Sequence, residues 1–329
     1  MRYYLALMLL LSAGVGTGQA AVLRLYVAPA GSGGDDHNNG SRARPVATLM
    51  KVQRILSEDL RLCNGQQTNE IEVHITPGTY QGNPVSWTCF TGAPITFTSL
   101  DFGSARPVFD GGGVTHTWFA AEDPHGTQGK LYFRYLKVQN FSTALSFRRV
   151  GGNYLYGMYL YRIGGKYGPL GCDRNGNCNE PTAAVAFAWN SSGNRVANSH
   201  FINIENRVAK GALHAFYISD YSSANEIERN RFAYVSGIPI KVRNNSNYNR
   251  ASANVFTKSG DSAFFYDGFD EPNECPSWMN EFTTNQLYDG YSGQRFANAC
   301  RRDQATPEIL GRCGWFSGPR ITCTGNVQY

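Results

Sequence analysis

The sequence predicts an all-β chain wound into a parallel β-helix, and three observations carry that expectation. First, Asn followed two residues later by an apolar residue, and five after that by Phe or Leu, occurs five times: Asn153/Leu155/Leu160, Asn194/Val196/Phe201, Asn225/Ile227/Phe232, Asn249/Ala251/Phe256 and Asn280/Phe282/Leu287. A polar residue (Ser199, Asn230, Asn254 or Asn285) stands between the two apolar positions in every instance except the first, where it is Met158. Second, the leading asparagines lie 41, 31, 24 and 31 residues apart. The shortest interval gives the unit and the others add insertions, and fixed strands with variable loops mark a solenoid. Third, short alternating apolar runs ("AVAFAW", "HAFYIS", "IPIKV") bounded by Gly, Asn and Ser are strand chemistry rather than helix chemistry.

Taken in chain order, residues 1–20 read as a secretory signal peptide: Arg2 is positive, "YYLALMLLLSAGVG" is apolar, and "GQA" offers small residues for cleavage. The apolar run is shorter than the roughly 20 residues that a membrane-spanning helix needs. Residues 21–290 form the expected β-helix domain. Within it, "LYVAPAGSGGDDHNNGSRARPVATLMKVQRIL" reads as a strand, a polar loop and an amphipathic helix from about Pro45. That helix is expected to cover the open end of the solenoid and its unpaired strand edge. "IEVHITPGTY" and "APITFTSLDFGSARPVFDGG" follow as the first coils. Residues 291–329 are expected as a Cys-rich C-terminal cap or tail.

Eight cysteines in an exported chain point to disulfides rather than zinc. Sequence proximity suggests the pairs Cys63–Cys89, Cys172–Cys178, Cys313–Cys323 and Cys275–Cys300. The formal net charge of +5 permits an anionic ligand without demanding one. The acidic loop "GGDDHNNG" could hold calcium, but it lacks the ligand spacing of a calcium loop and reads better as a solvated turn. No other metal or cofactor is implied.

Coils of a solenoid stack about 4.8 Å apart, so equivalent side chains form columns. The repeated asparagines are therefore expected to hydrogen-bond along the stack and to satisfy turn backbone groups. Their first role is structural.

The entry "YVAPAGS…RPVATLMKVQ", the "ITPGTY" turn and the rungs "HAFYIS…NEIERNRF…GIPIKV" resemble secreted right-handed β-helix proteins of the pectate lyase superfamily, over roughly residues 25–290. The resemblance implies a right-handed coil, and a fold that hosts lyases, hydrolases, epimerases and non-catalytic adhesive proteins, so function has to come from the site. The tetrapeptide "DPHG" at Asp123 resembles part of an alginate epimerase signature but lacks its closing acid.

The repeat itself indicates where a site lies. Phe216 and Ile218 match Ile240 and Val242 one coil later and are expected to face inward. The outward set is then Tyr217 and Ser219 beside Lys241 and Arg243, with Ala186 and Ala188 on the preceding coil. The insertions 166–181 and 205–211 fall just before this strand and are expected to wall the same face.

In the lyase chemistry that the resemblance implies, Lys241 and Arg243 neutralise a uronate carboxylate while Tyr217 or His214 moves protons. Arg207 and Lys210 close from the loop, and Ser219, Asp220, Tyr221 and Tyr266 complete the substrate-binding set. The bland reading makes the two cations a solvated strand face and His214 a turn residue bonded to backbone. A hydrolase would need paired carboxylates, with Asp220, Asp261 and Asp267 as candidates. A non-catalytic carbohydrate-binding protein would use Tyr217, Tyr221, Phe264 and Tyr266 as stacking platforms. The favoured expectation is an exported lyase acting by β-elimination on an acidic extracellular polysaccharide. It is expected to be a monomer, with no nucleic-acid partner and no membrane span.

Overall fold

The computed structural model describes residues 22–329 except 67–68, 101–104, 124–129, 173–177, 271 and 315–317. The expected signal peptide and most of "DPHG" lie outside the described residues. Among those described, the strands form three parallel sheets of ten, eight and nine strands, plus a two-stranded antiparallel ladder. The chain is a parallel β-helix. One coil shows the plan: His214–Ile218 lies in the eight-stranded sheet, Glu226–Glu228 in the ten-stranded sheet and Arg231–Val235 in the nine-stranded sheet, before Ile240–Arg243 returns to the first. Among the described residues, no helix is long and apolar enough to cross a membrane.

The core is a set of columns. Phe201, Phe232 and Phe256 stack in register, with ring centroids 5.0 and 4.6 Å apart. Phe216, Ile218, Ile240 and Val242 are fully buried, as the alternation requires.

The asparagines form two ladders. Nδ2 of Asn153, Asn194, Asn225 and Asn249 each donates to Oδ1 of the next, at 2.7, 2.8, 2.8 and 3.2 Å, ending on Asn280. Each of those oxygens also accepts the backbone N–H of the preceding asparagine. The polar residues between the apolar positions make the second ladder, Asn230 to Asn254 to Asn285 to Asn326. Just before that ladder position each of the five repeated coils turns through a left-handed residue, which is Gly157, Asn198, Arg229, Ala253 or Thr284 in successive coils. The neighbouring ladder, rather than the identity of the turn residue, holds this backbone.

At the N-terminal end, Leu49–Arg54 is the α-helix, continued by a wider turn over Ile55–Asp59, and Leu49, Val52, Ile55 and Leu56 are buried against the first coils. It begins after Pro45 because Thr48 is the cap, its hydroxyl accepting the N–H of Lys51. Asp36, in the acidic loop, accepts from the N–H groups of Ala47 and Thr48 and from the Thr48 hydroxyl, so this carboxylate fixes the helix entry. At the other end, Cys300–Arg302, Ile321–Thr324 and Val327–Gln328 pair with the preceding coil in all three sheets.

Three disulfides are described: Cys63–Cys89, Cys275–Cys313 and Cys300–Cys323. The first is the expected pair. The other two correct the assignment by proximity: Cys313 pairs with Cys275 and Cys323 with Cys300. In a solenoid the nearest cysteine in space sits one coil away, not nearest in sequence. The expected Cys172–Cys178 bridge rests on the Cys172 side chain, outside the described residues, although the backbones of the two positions are paired in the antiparallel ladder.

Candidate functional site

The outward face of the eight-stranded sheet carries one unbroken row set by strand register: Ser86, Ala120, Ser146, Ala186, Tyr217, Lys241, Tyr266 and Arg301. Its first half carries only small side chains. Its second half is an alternation of rings and cations.

Lys241 is half-buried there, with Nζ 5.6 Å from the ring centroid of Tyr217 and 5.4 Å from that of Tyr266. Its ammonium makes no hydrogen bond or ion pair among the described residues. Burial, reinforced by the nearby Arg243 and opposed by the carboxylates of Asp270, Asp303 and Glu274, lowers its pKa from the ordinary lysine value.

Arg243, two residues on, is firmly held. It donates to the Tyr217 phenolic oxygen at 2.7 Å, through Nε to Glu274 at 2.8 Å, and through Nη2 to both Asp270 and Glu274 at 2.5 Å. Burial opposes its charge, but the carboxylates of Glu274 and Asp270 hold its proton more tightly than usual. Arg243 is therefore a charge-balanced brace for Tyr217 rather than a second free cation. Burial raises the Tyr217 pKa, and the Arg243 contact opposes that rise. Tyr266 donates to Asp303, 2.7 Å from both carboxylate oxygens, and burial together with that carboxylate raises its pKa.

The remaining expected residues separate from this cluster. His214 is buried, and because a carbonyl only accepts, its Nδ1 donates to the Ile238 oxygen at 2.7 Å. Burial lowers its pKa to about 4, so the ring is neutral at pH 7 and packed behind Tyr217. Ser219, expected outward, is buried and donates to Asp220, because the chain turns inward just after Ile218. Asp220 also accepts from Asn244, so it organises the turn. Tyr221 is exposed at the edge.

Two other candidates face the core. Phe264 is fully buried, since the strand start turns two consecutive residues inward, and it offers no stacking platform. Asp267 occupies an inward position and pairs with Arg320. Burial raises its pKa to about 6 against the pull of that guanidinium, and the hydrolase reading loses this carboxylate from the face.

The insertions make the wall. Glu180, from the first loop, accepts the backbone N–H groups of Arg207, Val208 and Ala209 from the second. Glu205 is buried among Lys166, Tyr167 and Tyr291. Burial disfavours its charge, but those three donors lower its pKa below the usual value. Arg207 lines a separate cleft of about 530 Å³ with Leu170, Val208 and Glu180, while Lys210 stands exposed at the end of the wall. Neither meets Lys241 among the described contacts.

Sequence reasoning missed Asp270, Glu274, Asp303 and Arg301. Only the register of Arg301 with Tyr266 left a trace in the repeat, since the three carboxylates come from irregular segments.

This geometry defines a parallel β-helix with a walled, exposed sheet face. No family model matches the sequence, and no curated protein does. Among solved structures, an alginate lyase from Paenibacillus sp. str. FPU-7 is similar at 16% identity and a TM-score of 0.52, over 86% of this chain and 94% of that one. A rhamnogalacturonan lyase is similar at 13% identity and a TM-score of 0.42, over 92% and 87%. A GH136 lacto-N-biosidase from Eubacterium ramulus is similar at 11% identity and a TM-score of 0.44, over 93% and 68%. At these identities the likeness is one of fold.

Proposed function

We propose that the protein is an exported polysaccharide lyase that cleaves a uronate-containing glycan by β-elimination on the outward face of the eight-stranded sheet. The observation that carries this reading is Lys241: a half-buried cation held between two tyrosine rings, without a direct ion pair among the described residues, in a row whose first half is made of small side chains. The carboxylates of Asp270, Asp303 and Glu274 act on this partly desolvated ammonium only through space, without a direct ion pair, so a directly paired anion would stabilise it further. A uronate carboxylate lying in the row supplies one. The disulfides suit an oxidising, extracytoplasmic setting, and the described solved structures with this fold include two named as lyases.

In this mechanism Lys241 pairs with the carboxylate and stabilises the charge that develops on it when the adjacent C–H proton leaves. Tyr217 moves protons. Arg243 donates to its oxygen, which stabilises the phenolate that takes the proton and then returns it to the departing glycosidic oxygen. The bond to the leaving sugar breaks as the carbon–carbon double bond forms. Tyr266, fixed by Asp303, supplies the opposite wall of the Lys241 slot.

The test is incubation with a panel of uronate polymers while following the ultraviolet absorbance of the unsaturated uronate. Growth of that absorbance supports elimination. New reducing ends without it indicate hydrolysis, and binding without either indicates a non-catalytic carbohydrate-binding protein.

A further inference from the structure

A second aromatic and cationic group lies on the same face, away from the proposed chemistry. Arg148 follows Ser146 on the strand Thr143–Arg148, and its outward position is paired with Ala188 on the strand Ala183–Ala188. The next residue, Trp189, is 39% exposed and adopts a left-handed backbone with φ of 57°. That conformation is costly for a bulky residue and is kept only where the surroundings impose it. The Arg148 guanidinium carbon lies 4.0 Å from the Trp189 ring centroid and that of Arg149 lies 4.7 Å from it.

The two arginines differ in what balances them. Arg149 pairs with Glu122 at 2.9 Å. Arg148 has Glu122 as its register partner on the neighbouring strand but makes no direct hydrogen bond or ion pair among the described residues, and its closest described head-group contact is the indole. Stacking on a ring fixes the plane of a guanidinium while leaving its in-plane N–H groups free, and those form the fork that matches a carboxylate. Between Arg148 and Lys241 the face carries the small side chains of Ser146, Ala186 and Ala188 and then the ring of Tyr217, which stands beside Lys241. The strands carrying the two cations are three apart, which places them about 14 Å from one another along the coil axis at the usual strand spacing.

We propose that Arg148, backed by Trp189, is a second carboxylate subsite, which binds a uronate several sugar units along the chain from the one at Lys241. This inference rests on the lyase reading of Lys241 and adds a length requirement to it. The row selects a polymer with regularly spaced negative charge, and an oligomer too short to span both cations gains nothing from Arg148.

The experiment is equilibrium binding of oligogalacturonate and oligoalginate trimers and octamers to the full chain, by calorimetry, for the wild type and for Arg148→Ala, Arg148→Lys and Lys241→Ala. Arg148→Ala is expected to weaken octamer binding about tenfold, the scale of one lost charge-assisted pair, and to leave the trimer unchanged. Arg148→Lys retains the charge without the fork and falls between. Lys241→Ala weakens both lengths. Thermal unfolding of each variant separates loss of binding from loss of fold. If folded Arg148→Ala binds octamer as tightly as wild type while Lys241→Ala weakens both, the second subsite is overturned and the Lys241 reading stands. If the wild type binds neither length, both fall together.

Discussion

Nη1 of Arg243 donates to the phenolic oxygen of Tyr217 at 2.7 Å, across adjacent strands of one sheet. The same guanidinium is anchored by Glu274 and Asp270. The bond holds the Tyr217 oxygen in place beside the Lys241 slot, and on the proposed lyase reading the two cations divide the labour: Arg243 positions, while Lys241 receives the substrate carboxylate.

Lys241→Ala should therefore raise the barrier to turnover of an acidic glycan by about 3 kcal/mol, the scale of one lost preorganised donor. Stability should change little, because the ammonium has no ionic partner to leave behind. The check is kcat/KM together with urea unfolding. Full activity in the folded variant would return Lys241 to the status of a solvated strand residue.

The pH profile should report both groups. Tyr217, with its pKa raised by burial, gains base character as pH rises, whereas Lys241, with its pKa lowered, loses its charge at high pH. Activity should climb on the alkaline side and then fall as the ammonium deprotonates. Lys241→Arg, which keeps its charge, should move the falling limb upward, and Tyr217→Phe should abolish turnover while preserving binding. A falling limb unmoved in Lys241→Arg would assign it to another group.

His214 predicts a stability effect. Its folded-state pKa of about 4 lies below the ordinary value of 6.5, so the unfolded chain binds the proton more readily. The stability contributed by the neutral ring is complete above pH 6.5 and is lost as pH falls towards 4, by on the order of 3 kcal/mol. Chemical denaturation across that window should show a shallower pH dependence in His214→Gln. Equal slopes for the two proteins would place the effect elsewhere.

Asn225→Ala should destabilise the fold by about 3 kcal/mol, because it strands the buried Asn194 N–H and the Ser222 carbonyl and takes from the Asn249 oxygen one of its two donors. Denaturant midpoints give the value. A loss below about 0.5 kcal/mol, the scale of a surface change, would mean that the ladder is decorative.

The Cys275–Cys313 bridge anchors the loop that carries Asp270 and Glu274. Replacing both cysteines by Ser should lower stability by about 2–4 kcal/mol and, by loosening the Arg243 brace, lower kcat more than it raises KM. Peptide mapping without reduction should find Cys275 with Cys313 and Cys300 with Cys323.

Much of this was legible in the sequence because a solenoid repeats its local chemistry. The interval between Asn225 and Asn249 is one coil, so two residues matched in sequence are neighbours in space. The alternation around Phe216 and Ile240 then fixes which side chains enter the core and which, like Tyr217 and Lys241, leave it. What the tertiary structure alone decided lies where the repeat breaks. His214, Ser219 and Phe264 sit at strand ends, where the chain bends and the simple alternation no longer tells inside from outside. Asp270, Glu274 and Asp303 come from irregular segments 27 to 37 residues from the groups they bind, and the disulfide partners likewise lie across coils. Such contacts depend on how a loop folds back over the stack, which is set by packing and charge pairing in three dimensions, and no period in the sequence encodes it.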